Sequence, residues 1–381
     1  MVKLNKMKIG VIALLVVIIL SIGLLGLSCV SGIAPIGWSG GTVADGVLYV
    51  GSNEGRLTAI NIDDSSRQWA EALKAKTQSG LFGCSASSIG CGGGSSSVPI
   101  YGTPVVSDNL VYVAGYNGKI CAYNTSNLAT RWVYPREGYL QPFVGGPVIS
   151  QGILFVGCAN GYIYALDALT GDMLAEYETG DKIWGTAAVD GDSLYIGSFD
   201  KKLYAFNITD LTLKWVCNTE GSIISTPLVD NGTVYFGSFD KKLYAVNAAD
   251  GTVKWTFTGG KWFWTQPQIV DGVIYAGCLD GYVYLINAAN GAEIKSFTLG
   301  SPAAGAPVIS GNYVVFASQK GLIYKIDTAT QDIRQIADIK MNVDGPLTAY
   351  NGIIYIHPQS SEIKCIDVET GAVLPDISLV S

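Results

Sequence analysis

Apolar positions along this chain come in short runs rather than in the strict alternation of half-exposed strands. "LYIG" (194–197), "VYFG" (234–237) and "IYAG" (274–277) are each followed, a few residues on, by a second run such as "LYAFN", "LYAVN" or "VYLIN". Four to five consecutive apolar residues bounded by Gly, Asn and Asp read as short strands buried on both faces. Two stretches carry nearly the same text: "LYIGSFDKKLYAFN" at 194–207 and "VYFGSFDKKLYAVN" at 234–247.

The duplication is part of a longer series. An Asn or Asp closes each copy, at Asn61, Asn124, Asp167, Asn207, Asn247, Asn287, Asp327 and Asp367, with spacings of 63, 43 and then 40 throughout. A Gly/Ser/Cys-rich insertion at about 77–98 accounts for the long first interval. Half of the eight copies open on a "TP" or "GP" pair (among them Thr226-Pro227, Gly146-Pro147 and Gly345-Pro346), and each copy continues through four short apolar segments separated by turn residues. The period alone does not separate a propeller from a solenoid. Strands apolar on both faces do, because sheets packed against neighbours on either side need them. Gly51, Gly157, Gly197, Gly237 and Gly277 recur at one position, where a missing side chain lets sheets approach closely. The pattern predicts an all-β chain, an eight-bladed β-propeller of four-stranded antiparallel blades over 31–381. The closing Asn or Asp should bond the turn that follows it. Eight residues after it stand Trp69, Trp132, Trp215 and Trp255, expected to cover blade junctions as core residues.

Composition agrees, with 49% hydrophobic and 14% charged residues, 47 Gly and 21 Tyr among 381 residues. It also separates off the N-terminus. Lys3, Lys6 and Lys8 precede an apolar and small-residue run at 9–27, which as a helix would span roughly 28 Å. Residues 1–30 thus read as a signal or anchor segment that sends the rest out of the cytoplasm. Cys29 in "GLSCV" stands where a bacterial lipoprotein carries its lipid, although Gly26 and Leu27 depart from that pattern; a lipid anchor, an uncleaved helix and ordinary cleavage all stay open. Past residue 28, 21 basic residues face 31 acidic ones, a formal charge of −10, which argues against a nucleic-acid partner. In an oxidising compartment Cys84 and Cys91, both inside the insertion, are the pair placed to form a disulfide. Cys158 and Cys278 follow the repeat Gly and read as small buried residues.

The stretch "VDNGTVYFGSFDKKLYAVNAADGTVKW" (229–255) resembles the pyrroloquinoline-quinone-type propeller repeat, and the resemblance extends over about 33–381. That family includes quinone-dependent dehydrogenases and the lipoprotein of outer-membrane barrel assembly, so the resemblance specifies fold more than function. The dehydrogenases it resembles carry adjacent cysteines and an Asp base beside calcium. This sequence has no Cys-Cys pair, and its only histidine, His357 in "IIYIHPQ", lies on a strand. The resemblance therefore implies a non-enzymatic scaffold, membrane-tethered, with envelope or membrane proteins as partners and with no catalytic residues, cofactor or metal. A quinone (PQQ)-dependent dehydrogenase and a small-molecule or glycan-binding propeller are the alternatives. Three N-glycosylation sequons, at Asn124, Asn207 and Asn231, read as coincidental.

In a propeller the segments leading into the innermost strands rim the channel, and most here are small and bland, such as "GSIIS" and "SPAAGA". Three are not. "GGKWFWTQP" supplies Lys261, Trp262, Phe263 and Trp264, "REGYLQPFVGG" supplies Tyr139 and Phe143, and "GDKIWG" supplies Trp184. Aromatic loop residues add contact area at low entropic cost, so these seven are the expected partner-binding set. The insertion is a second candidate docking element.

Overall fold

A computed structural model describes residues 39–52, 55–70, 72–73 and 98–379. The N-terminal segment with Cys29, and the insertion with Cys84 and Cys91 except for its last residue, lie outside the described residues. The described chain forms thirty-two strands in eight antiparallel sheets of four, and every sheet is built from four consecutive strands. The blades span 41–69, 105–134, 148–178, 188–218, 228–258, 268–298, 308–338 and 348–378.

Blade five shows how the repeat makes a blade. Its inner strand Leu228–Asp230 turns at Asn231 and Gly232, both with positive φ (45° and 69°), into Thr233–Gly237. Two successive left-handed residues are what a two-residue hairpin needs. Lys242–Asn247 pairs next, and then the Asn247 side chain accepts the Ala249 N–H at 3.0 Å to start the turn into Val253–Thr258. A one-residue register shift in that last pair sets Trp255 opposite Ala245.

Both faces of the middle strands are buried: Leu194, Tyr195 and Ile196 expose at most 2%. Eight hydrophobic clusters occupy the eight blade junctions, so the core is a ring of interfaces rather than a single centre. The recurring glycines sit under a buried residue of the following lead-in. A Cβ on Gly197 would lie 2.2 Å from Ile223 Cγ2, and one on Gly237 would lie 2.5 Å from Phe263 Cβ. The tryptophans behave as predicted in blades two, four and five, where Trp132, Trp215 and Trp255 donate Nε1–H to the carbonyls of Ala168, Ala248 and Ala288 in the next blade. Trp69 also covers a junction, but the opposite one. In blade one the outer pair runs without the register shift, Trp69 faces Thr58 rather than Ala59, and a one-residue difference sends it to the other side of the sheet. Its Nε1 reaches the Leu379 carbonyl oxygen at 3.4 Å, beyond blade eight.

That contact belongs to the ring closure, which uses no strand exchange. Leu48, Val50 and Ile60 of blade one pack on Tyr355, Ile363 and Ile377 of blade eight. Thr348 Oγ1 accepts the Gly41 N–H at 3.0 Å and donates to the Gly41 carbonyl oxygen at 2.8 Å. His357 takes the place of the repeat glycine in blade eight, is 4% exposed, and sets Nδ1 3.1 Å from the Ser39 carbonyl oxygen and Nε2 3.3 Å from that of Ser360. Buried between two backbone carbonyl oxygens, this histidine is a packing residue of the seam.

Candidate functional site

The lead-in segments converge on the ring axis and line a cavity of about 550 Å³ with residues from 101–105, 144–148, 184–186, 224–226, 264–266, 304–306 and 344–346. Such a volume lies within the range of small-ligand sites, about 300–1,000 Å³. Backbone bonds fix these segments: in blades four, five and six the N–H groups of Phe199, Phe239 and Leu279, each in the turn after the second strand, donate to the carbonyls of Lys182, Ser222 and Trp262. Each lead-in is thereby pinned to its own blade at one face of the ring.

Burial divides the expected site residues. Each lead-in inserts one residue into the blade interface at Ile100, Phe143, Ile183, Ile223, Phe263, Ala303 and Val343, and all of these are at most 1% exposed. Phe143 and Phe263 belong to this buried series and cannot meet a partner; their assignment to a binding surface is corrected. The reason is the alternation of the extended lead-in: when Phe263 fills the hollow over Gly237, its neighbours Trp262 and Trp264 must point away from it.

Trp262 is 40% exposed, Trp184 36% and Tyr139 38%. Trp262 stacks on Phe239 at 4.3 Å between centroids and 10° between planes, and Trp264 lies 6.1 Å from the same ring at 22°. Phe239 meets Phe199 edge-on at 6.2 Å, and Phe199 meets Trp184 edge-on at 4.8 Å. The Lys182 ammonium caps the series, 5.1 Å from the Phe199 ring and 5.5 Å from that of Trp184. Five aromatic side chains thus form one continuous ledge across blades four to six. Lys261 is exposed beside Trp262. Tyr139 is not part of this ledge; its ring stands under the Lys119 ammonium at 4.9 Å, and it does not line the cavity.

Phe199 and Phe239, which join the ledge together, were not among the expected residues. The signal was in the duplicated phrase itself, where "GSFD" puts Phe at a position that holds Ala159, Leu279 and Gln319 in other copies. Opposite the ledge, Tyr101 and Tyr116 meet edge-on at 5.2 Å and also line the cavity. Burial pushes the Tyr101 phenol up to about 12, so it is a neutral hydroxyl at physiological pH.

Asp344 is the one charged residue among those lining the cavity. Its Oδ1 accepts Gln319 Nε2 at 2.8 Å and its Oδ2 accepts Gln359 Nε2 at 2.5 Å, so both oxygens are oriented. Gln266 donates Nε2 to the Pro227 carbonyl at 3.2 Å, and Thr186 Oγ1 accepts the Gly146 N–H at 2.9 Å. Among the described residues no group of three His, Cys, Asp or Glu side chains converges to hold a metal ion. Cys158 and Cys278 are free and buried, their thiols pushed up by burial to about 11 and about 12.

The fold has known counterparts. The computationally designed Ika8 protein superimposes with a TM-score of 0.69 at 16% identity, covering 87% of this chain and 97% of that one. BamB from Moraxella catarrhalis superimposes with a TM-score of 0.67 at 17% identity, covering 84% and 93%. At these identities the likeness concerns fold alone. No curated protein matches the chain at the sequence level. The family model described as outer membrane protein assembly factor BamB matches residues 30–183 and 180–374, which together take in all but the last residues of the propeller. On that match the chain belongs to the BamB family of PQQ-like propellers.

Proposed function

We propose that the protein is a non-enzymatic docking scaffold of the cell envelope, held outside the cytoplasm by its N-terminal apolar segment, and that it presents the aromatic ledge to an envelope membrane protein during outer-membrane protein assembly. The observation that carries this reading is the continuity of Trp184, Phe199, Phe239 and Trp262 along one face, with Trp262 exposed and held flat against Phe239. Pre-stacked rings lose little freedom on binding, and so make effective anchors. Family membership supports the assembly context. The apolar run at 9–27, preceded by Lys3, Lys6 and Lys8, supports the location.

The quinone alternative draws no support from the donor set. A quinone–calcium site needs several converging carboxylate and amide ligands, whereas the cavity offers a single carboxylate, Asp344, already engaged by two glutamines, and one amide, Gln266.

The test is purification of the full-length protein from its host in mild detergent, with identification of co-purifying proteins. Wild type should retain an envelope partner and Trp262→Ala should lose it. Equal recovery of every partner by the two proteins rules out the ledge as the docking surface.

A further inference from the structure

The cavity behind the ledge has a chemistry of its own. Its walls include Trp184 and Trp264, which lead into blades four and six; Trp184 is held edge-on by Phe199 and Trp264 lies nearly parallel to Phe239. Its polar groups are hydroxyl, amide and one carboxylate, with no Lys or Arg among the lining residues. Their hydrogen bonds leave defined valences. Gln266 uses an amide N–H on Pro227 and keeps its carbonyl oxygen to accept; Thr186 accepts from Gly146 and keeps its hydroxyl hydrogen to donate. Asp344 is clamped by the two glutamines with acceptor capacity remaining on each oxygen.

No Lys or Arg lines the cavity to meet a phosphorylated or otherwise anionic ligand; the Lys182 ammonium, 5.5 Å from the Trp184 ring, is not among its lining residues. A purely apolar one would strand the oriented carboxylate and amide, at a cost typical of buried unpaired polar groups. The arrangement suits a ligand whose faces are apolar C–H and whose rim is hydroxyl, in other words a pyranose ring lying on an aromatic plane. We propose that the channel mouth is a carbohydrate site that takes the end of an uncharged oligosaccharide, with sugar rings stacked on Trp264 and Trp184 and hydroxyls bonded to Thr186, Gln266 and Asp344. The reading relies on the extracytoplasmic placement proposed above, since surface glycans are met there, but not on the protein partner. The two surfaces share Trp184 and Trp264, but Trp262 belongs to the ledge alone and does not line the cavity.

The experiment is a titration of tryptophan emission of the purified full-length protein with cellotetraose, maltotetraose, mannotetraose and chitotetraose in turn. At least one should give a saturable blue shift. Trp264→Ala should bind that sugar at least tenfold more weakly, Trp264→Phe should keep part of the affinity, and Trp262→Ala should bind within twofold of wild type. A melting curve for each variant separates lost binding from lost folding. No saturable response to any of the four sugars overturns the proposal, as does unchanged affinity in a folded Trp264→Ala. Because Trp262→Ala alters the ledge without altering the cavity lining, and partner recovery and sugar binding are read separately, failure of one reading is visible without failure of the other.

Discussion

The His357 Nδ1 lies 3.1 Å from the carbonyl oxygen of Ser39, joining the last blade to the residue that leads into the first across 318 positions of sequence. With Thr348 on Gly41 and Trp69 on Leu379, it makes the polar seam of a ring whose sheets exchange no strand. A propeller closed in this way depends on one interface between its chain ends, and that interface is open to direct test.

Acid should loosen the seam. Burial holds the His357 imidazole below its ordinary 6.5, and the two facing carbonyls offset this only in part. A folded-state value below the unfolded one means that the neutral ring's contribution is present above about 6.5 and is lost as pH falls through the folded-state value. Thermal melts of wild type from pH 7.5 to 5 should therefore decline, and His357→Gln should decline less over the same interval. Parallel profiles would show that the histidine does not titrate on unfolding.

Thr348→Val keeps shape but removes both bonds to Gly41. Leaving a buried backbone N–H and C=O unmatched should cost about 1–3 kcal/mol, read as a lower urea midpoint with unchanged slope. An unaltered midpoint would mean that the hydrophobic cluster at this junction carries closure by itself.

Neighbouring aromatics in one lead-in should part company. Phe263→Ala empties the hollow over Gly237 and should destabilise by about 3–5 kcal/mol. Trp262→Ala, on the exposed side, should stay within about 0.5 kcal/mol while losing the partner. Denaturant titration of the two side by side checks the assignment, and comparable losses would place Trp262 in the core instead.

The duplicated phrase also carries an aspartate clasp. Asp240 accepts the Tyr244 hydroxyl at 2.6 Å and the Glu220 N–H at 3.1 Å through one oxygen, and the Lys242 N–H at 3.0 Å through the other. Asp200 repeats the clasp on Tyr204 and the Gly180 N–H, and Asp280 on Tyr284 and the Gly260 N–H. Burial first, and then the aspartate, pushes the phenols of Tyr204 and Tyr244 upward. Asp240→Ala should cost about 1.5–3 kcal/mol, since bonds to a charged acceptor are the stronger kind. Exchange protection of the Tyr244 region measures the same loss locally; protection equal to wild type would make the clasp incidental.

The sequence alone determined the blade count, the four-strand grammar and the core function of the tryptophans, because a forty-residue period forces each local signal to repeat until chance is excluded. It also singled out the lead-ins that bring Trp184, Trp262 and Trp264 together, since aromatic loops stand out against bland ones, along with a third whose Tyr139 stands apart. It could not tell Phe263 from Trp262, because inward and outward positions of an extended segment differ only once a neighbouring glycine offers a hollow to fill. Nor could it send Trp69 toward blade eight, which turned on a single missing register shift, or assemble Phe199, Phe239 and Trp184 into one surface, because they meet only when neighbouring blades are rotated about a common axis. How the ring closes was likewise decided in three dimensions, by contacts between residues three hundred positions apart that no local pattern encodes.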